Sequence, residues 1–369
     1  MKKNVAVFFG GRSNEHDVSI ITGMLAVNLL RGAGYEVMPV YLPLDGGMRA
    51  CKSARGVEEF RGSVWKQFDE VILYGNALVS PKRPKKAKFT IDCALNCCHG
   101  GQGEDGTLAA LLNWNGVLSA SPEMPVSAIF MDKSLSKIAL RGLDIPVVED
   151  FTVTEREWTE DKEGVIKRAE PLGYPVIVKP SALGSSIGIR VAKNEEELAA
   201  AFELAFSLDG SALVEKYLEE KRDINCAACI IGGKIELSPL EEVFSSEEIL
   251  SFREKYEDAG ERTSRIPADV PDAIREEIDC YMKRVCAAFR VKGVVRADFL
   301  VSGEEVYFNE LNTVPGSLAS YLYGESLTEG RDFLVKLIEG ATKQEEKKIV
   351  QTDLLSGGVF GGSKGCKRR

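Results

Sequence analysis

Residues 292–316 read K-G-V-V-R-A-D-F-L-V-S-G-E-E-V-Y-F-N-E-L-N-T-V-P-G. Two apolar segments, Val294 to Val301 and Val306 to Leu311, flank the turn-like Ser302-Gly303-Glu304, and the pattern predicts a β-hairpin. Side chains alternate along a strand, so Arg296 and Asp298 share a face of the first strand, and Glu310 and Asn312 share a face of the second. A turn centred on Glu304 sets Asp298 opposite Glu310. Two carboxylates converging beside one amide repel each other unless a cation lies between them. All the donors are hard oxygens, which suit Mg²⁺ better than zinc, and Mg²⁺ held by so few carboxylates usually carries nucleotide phosphates. An isolated D-x(11)-E-x-N is more often just a charged hairpin edge. Phosphate ligands elsewhere in the chain must decide.

A chain of 369 residues exceeds one ordinary core and should form two or three packed units. With 44% hydrophobic and 28% charged residues it has the composition of a soluble globular protein. A net charge of −9 argues against a nucleic-acid partner or an anionic membrane. No stretch approaches the roughly 18 apolar residues of a membrane span. The apolar run after Lys2-Lys3 is too short for a signal peptide, and nine cysteines without a framework point to reduced thiols in a cytosol. Cys226 and Cys229 form the lone C-x-x-C, inside an apolar run, and read as core thiols. The two histidines, His16 and His99, are too few for a His-rich zinc site.

Val5 to Phe9, then G-G-R-S-N-E-H-D, then an apolar-periodic segment from Val18 to Leu30 read as strand, loop and helix. The loop is not G-x-G-x-x-G, so a dinucleotide fingerprint fails. Further strands are expected over Tyr35 to Leu42 and Val71 to Tyr74. Lys82-Arg83-Pro84-Lys85-Lys86 reads as a solvated loop broken by proline. Phe89 to Cys98 leads into H-G-G-Q-G-E-D-G-T (99–107) and a helix from Leu108 to Trp114, with Glu104-Asp105 suited to that helix's dipole. One helix is expected over Val126 to Leu140. Strands follow over Val147 to Val153, Pro175 to Lys179, Ile189 to Ala192 and Ala212 to Leu218, with a helix from Val165 to Ala169 and another capped by Asn194 and Glu197. Residues 222–236 read as a hairpin, 245–267 as a polar lid, Pro271 to Phe289 as an amphipathic helix, Thr328 to Ala341 as the last helix and 345–369 as a disordered tail.

The second informative stretch is Val176-Ile177-Val178-Lys179-Pro180 followed by S-A-L-G-S-S-I-G. A buried strand delivers Lys179 to a loop whose Gly184, Ser185, Ser186 and Gly188 offer N–H groups and hydroxyls to an anion. The lysine precedes the glycines, so this is no Walker A loop. Together with Lys133 and the downstream carboxylates it makes a nucleotide site.

These stretches, with G-G-R-S-N-E-H-D-V-S (10–19), M-D-K (131–133), L-V-E-K-Y-L (213–218), E-K-Y (254–256) and N-E-L-N-T-V-P-G, resemble the ATP-grasp D-alanine–D-alanine ligases, in that family's order from residue 5 to about 340. The resemblance implies an α+β and α/β ATP-grasp architecture with a Rossmann-like N-terminal domain over 1–122, a central subdomain over 123–214, a C-terminal subdomain with metal site and lid over 215–344, and the tail over 345–369. It implies ligation of two D-alanine molecules through an acyl phosphate, with ATP as co-substrate. Another carboxylate–amine ligase making a different dipeptide is the alternative.

The implied roles follow residue by residue. Lys133 and Lys179 hold the phosphates, and Glu215, Lys216, Tyr217 and Leu218 lie at the adenine edge. Ser186, Lys255 and Leu300 complete the ATP contacts, with Asp223 at the ribose. Asp298, Glu310 and Asn312 hold two Mg²⁺ ions, or Mn²⁺. Glu15 binds the first ammonium in a set with Ser185 and Tyr256. His99 lies by the first carboxylate, while Arg296 and the Gly316 backbone stabilise the transition state. After Pro315-Gly316 the family's F-T-S-x-S is replaced by S-L-A-S-Y-L, which makes Ser320 the candidate for the second carboxylate. The neutral hydroxyl of Tyr256 favours a dipeptide over a depsipeptide. A homodimer in the cytoplasm is a further implication of the family.

Overall fold

The computed structural model describes residues 3–244 and 264–343. Lys255, Tyr256, most of the expected lid and the expected tail lie outside the described residues.

Three sheets follow one another along the chain. The first contains β1 (Asn4–Gly10), β2 (Glu36–Leu42), β3 (Met48–Ala50), β4 (Asp69–Tyr74), β5 (Ala77–Ser80), β6 (Arg83–Thr90) and β7 (Cys93–Asn96), in the order β6-β5-β4-β3-β2-β1-β7. Only β2, β1 and β7 run parallel. The Val5 to Phe9 run is wholly buried, as a strand covered on both faces must be. Residues 83–86 of the loop expected over 82–86 belong to strand β6. Pro84 is tolerated because β6 is the outermost strand, where a missing N–H breaks no ladder. On this sheet pack α1 (His16–Gly32), α2 (Gly101–Glu104) and α3 (Thr107–Trp114).

The expected helix over 126–140 is two helices, α4 (Met124–Met131) and α5 (Lys133–Arg141). Asp132 breaks them: its backbone is extended, and its carboxylate accepts from the N–H groups of Ser134 and Leu135 as the N-cap of α5. The second sheet contains β8 (Asp150–Thr154), β9 (Val176–Pro180), β10 (Arg190–Ala192) and β11 (Ser211–Lys216), in the order β10-β9-β11-β8. Its helices are α6 (Glu155–Glu160), α7 (Lys162–Ala169) and α8 (Glu195–Phe206), the last N-capped by Asn194 through the Glu197 N–H at 2.9 Å.

The third sheet contains β12 (Arg222–Ile231), β13 (Lys234–Leu237), β14 (Glu241–Val243), β15 (Ser264–Arg265), β16 (Gly293–Ser302) and β17 (Glu305–Asn312). Helix α9 (Asp272–Ala288) buries Ile274, Ile278, Tyr281 and Val285 on this sheet, and α10 (Leu327–Thr342) closes the described chain. Cys226 and Cys229 are buried on β12, where loss of water pushes both thiols up, Cys229 to about 12. They are core residues.

Packing crosses between the three units of the chain. Val126, Phe130, Leu140 and Ile145 share a core with the third sheet, not with the second. Phe333 and Leu337 of α10 share a core with Val27 and Leu30 of α1. The third unit therefore grips the first directly, and the second sheet has a core of its own.

Candidate active site

One cleft of about 260 Å³ is lined by the second and third sheets and by Glu15, His99 and Glu104 from the connections of the first. Its floor is the β16–β17 hairpin. Asp298 does oppose Glu310, but not because the turn is centred on Glu304: the turn is the two-residue Gly303-Glu304, with Ser302 opposite Glu305. That register would put Asp298 opposite Asn309. A β-bulge at Asn309 shifts it by one residue. The bulge also brings Asn309 into the cleft beside Glu310, where its amide oxygen accepts from Lys179 Nζ at 3.4 Å.

Arg296 clasps Asp298 with both ends of its guanidinium, Nε to Oδ1 at 2.8 Å and Nη2 to Oδ2 at 2.9 Å. Asn312 Nδ2 lies 3.3 Å from Asp298 Oδ2, which leaves the amide oxygen to face a ligand. Lys133 Nζ stands 3.9 Å from Glu310 Oε2 and donates to the Leu183 carbonyl at 2.5 Å. Among the described residues no three His, Cys, Asp or Glu side chains gather as a metal cluster. The candidate set is two carboxylates and an amide oxygen, and as hard oxygens they fit Mg²⁺.

Lys179 leaves β9 buried and ion-paired with Glu215, whose other oxygen meets Lys137 Nζ at 2.5 Å. Burial alone would raise the Glu215 carboxyl, but Lys179 and Lys137 beside it hold it down at about 2. Sequence reasoning missed Lys137, which is 1% exposed. Beside the adenine-edge position expected for Glu215, its carboxylate is engaged by Lys179 and Lys137.

Opposite the lysines, Ser185 Oγ donates to Glu15 Oε1. Two glycines leave Glu15 room in this position: a Cβ on Gly100 would meet Glu15 Oε2 at 2.6 Å, and one on Gly184 at 2.9 Å, so either would push the carboxylate aside. His99 is buried against Thr22 Oγ1 at 2.8 Å, and burial lowers its imidazole to about 4, so it is neutral at pH 7. Glu104 does not serve the helix dipole as expected; Asp105 does, through the Thr107 N–H at 2.8 Å. Glu104 instead bridges two loops, accepting from the Gly100 N–H at 2.9 Å and the Val314 N–H at 3.0 Å. Burial and then the Glu15 charge raise its carboxyl to about 7. Four glycines around one glutamate were the signal available for it.

Ser186, Lys216, Leu218, Asp223, Leu300 and Gly316 also line the cleft. Asp223 faces it, bonded to Lys221 at 2.7 Å, while Arg222 pairs with Glu242 on β14. Tyr217 and Ser320 do not line it. Ser320 is buried beneath residues 317–319, whose backbones all lie at φ near +50°, and the side chain that segment sends into the cleft is Tyr321.

The two halves of the chain match two family models, "D-ala D-ala ligase N-terminus" over residues 4–119 and "D-ala D-ala ligase C-terminus" over residues 139–339. The chain belongs to the D-alanine–D-alanine ligase family. A D-alanine–D-alanine ligase of Thermosipho melanesiensis is 34% identical over 360 residues, covering 95% of this chain and 97% of the relative. The crystal structure of the Helicobacter pylori D-alanine–D-alanine ligase superposes with a TM-score of 0.76 at 26% identity, over 93% of this chain and all of that one. The VanG D-Ala:D-Ser ligase of Enterococcus faecalis gives a TM-score of 0.75 at 25% identity, over 92% and 100%. The three-sheet architecture is that of the ATP-grasp ligases. Among the described residues no helix is long and apolar enough to cross a membrane.

Proposed function

We propose that this chain joins two D-alanine molecules at the expense of ATP, supplying a dipeptide for peptidoglycan precursors, with release of ADP and phosphate. The observation that carries the reading is the Glu15–Ser185 contact in the same cleft as Lys133, Lys179, Asp298 and Glu310. An ammonium-binding carboxylate and a polyphosphate-binding set thus share one space. Relatives of the same family, matched over nearly the whole chain, are D-alanine–D-alanine ligases.

A carboxylate is a poor electrophile and must first be phosphorylated. Glu15 holds the first amino acid by its ammonium while its carboxylate points past His99 toward the phosphates. Neutral His99, its ring held by Thr22, lies by that carboxylate without adding charge. Lys133 and Lys179 spread the negative charge of the transferring group. Two Mg²⁺ ions, or Mn²⁺ in their place, held by Asp298, Glu310 and Asn312, would neutralise phosphate charge in the transition state. The second amino acid gives up a proton from its ammonium and attacks the acyl carbon as the free amine; Arg296 with the Gly316 N–H donates to the oxyanion that forms, and phosphate leaves as it collapses. Tyr256 joins the Glu15–Ser185 set and Lys255 the phosphate set in this reading, and Asp223, Lys216, Tyr217, Leu218, Ser186 and Leu300 serve the nucleotide.

The test is phosphate release with ATP, Mg²⁺ and amino acids offered in pairs, with products identified by mass spectrometry. D-alanyl-D-alanine as the main product supports the reading. A different preferred pair would replace it with the alternative of another dipeptide ligase.

A further inference from the structure

Glu241 has no part in the reading above. It opens β14 and stands in one row across the sheet with Asn225, Asp298 and Glu310, since Asn225 pairs with both Glu241 and Asp298, and Asp298 with Glu310. The whole row lines the cleft. Glu241 is 6% exposed. Two neutral groups hold it, the Asn225 amide at 2.9 Å and the Tyr321 hydroxyl at 3.0 Å, and both donate to the same oxygen, Oε2.

Among the described residues no lysine, arginine or histidine lies within ion-pair distance of this carboxylate, and Oε1 accepts no hydrogen bond. Arg296 feels its charge but is committed to both oxygens of Asp298. A carboxylate buried without a cation is expensive, because two neutral hydrogen bonds do not replace its hydration. Protein interiors rarely keep such a group unless something else supplies the positive charge. Here the group opens onto a substrate cleft, at the end marked by Arg296, Gly316 and Tyr321. The first amino acid's ammonium is already matched by Glu15. One more full positive charge arrives with substrate, on the second amino acid.

Resting on the proposed ligation reaction, we propose that Glu241 Oε1 receives the ammonium of the second amino acid, and that this contact selects an amine nucleophile over the hydroxyl of a 2-hydroxy acid. Tyr321 fixes the carboxylate for that purpose. It follows the left-handed turn at residues 317–319, which turns its side chain into the cleft. A hydroxy acid offers Glu241 no cation and leaves the buried charge uncompensated, which is the kind of loss that gives strong discrimination. The phenol stays a donor because burial and the Glu241 charge push its pKa up to about 12.

The experiment compares wild type, Glu241→Gln and Glu241→Asp with ATP and Mg²⁺, reading separate apparent KM values for the first and second D-alanine. It also reads the ratio of dipeptide to depsipeptide when D-alanine and D-lactate compete as acceptors. Glu241→Gln, neutral and nearly isosteric, is expected to raise the second KM by about tenfold or more and to enlarge the depsipeptide share. The first KM and the ADP affinity measured by calorimetry stay unchanged. Glu241→Asp keeps the charge and keeps the preference for the amine. An active Gln variant with an unaltered second KM and product ratio overturns the inference. So does one that loses only a hydroxylated acceptor such as D-serine, since Oε1 would then read a side chain. If the Gln variant does not fold, the wild type decides: D-lactate should compete for the acceptor site at least about tenfold more weakly than D-alanine binds it, and equal affinity overturns the proposal. A wild type that makes no D-alanyl-D-alanine at all sinks the proposed function itself, which separates the two failures.

Discussion

Lys179 and Glu215 form a buried ion pair, with Lys137 on the second oxygen of the same carboxylate. The lysine proposed to face the phosphates is therefore also part of the framework that holds β9 to β11. Removing one partner of such a group leaves charge uncompensated, at a cost of about 3 kcal/mol. Lys179→Ala is expected to weaken ADP binding and also to lower the thermal unfolding midpoint of the ligand-free protein. A loss of affinity with unchanged unfolding would mean that Lys137 alone satisfies Glu215. The pH dependence has a definite sign. Glu215 is held below its unfolded value of 4.5, so its contribution is complete above that pH and disappears as the pH falls through about 2.

Ser185 and Glu15 meet across 170 residues of sequence. A hydroxyl bonded to a carboxylate contributes about 1.5–3 kcal/mol. Ser185→Ala should therefore cost roughly one to two orders of magnitude in kcat/KM for the first D-alanine, while calorimetry with ADP and Mg²⁺ shows little change. An equal loss for nucleotide and amino acid would make Ser185 a phosphate ligand instead.

His99 and Glu104 oppose each other in acid. Burial lowers His99 from 6.5 to about 4, so unfolded chains bind a proton that the folded chain refuses, and stability falls as pH drops through that window. Glu104 is raised from 4.5 to about 7, so the folded chain keeps a proton that the unfolded chain releases, and stability falls as pH rises from 4.5 to 7. Each effect is worth at most about 3 kcal/mol, and the water that reaches Glu104 trims its share. The two nearly cancel in the wild type. In denaturant titrations between pH 4.5 and 7, Glu104→Gln should therefore gain stability relative to wild type as pH rises, and His99→Gln should gain as pH falls. Parallel curves for all three proteins would remove the basis for both shifts.

Glu310 lies 3.9 Å from Lys133 and opposite Asp298. Glu310→Gln keeps the shape and loses one of the two carboxylate charges. Turnover should become undetectable at low Mg²⁺ and recover only in part at high Mg²⁺, with an unchanged circular dichroism spectrum. Wild-type turnover at low Mg²⁺ would remove Glu310 from the metal set.

Much of this protein is local and therefore legible in sequence. The buried run Val5 to Phe9, the hairpin around Gly303, the capped start of α8 and the delivery of Lys179 to a glycine-rich loop all follow from side-chain period and from turn or cap chemistry, which act over a few residues. Such rules cannot see the one-residue bulge at Asn309, because register is set by the pairing of whole strands. Nor can they see Asp132 splitting a helix whose apolar period continues through it. What only the tertiary structure decided is which distant groups share a site: Lys137 with Glu215, Glu104 with Val314, Glu241 with Tyr321. Each joins segments tens to hundreds of residues apart, and its electrostatics come from burial, a property of the packed chain that no single segment possesses.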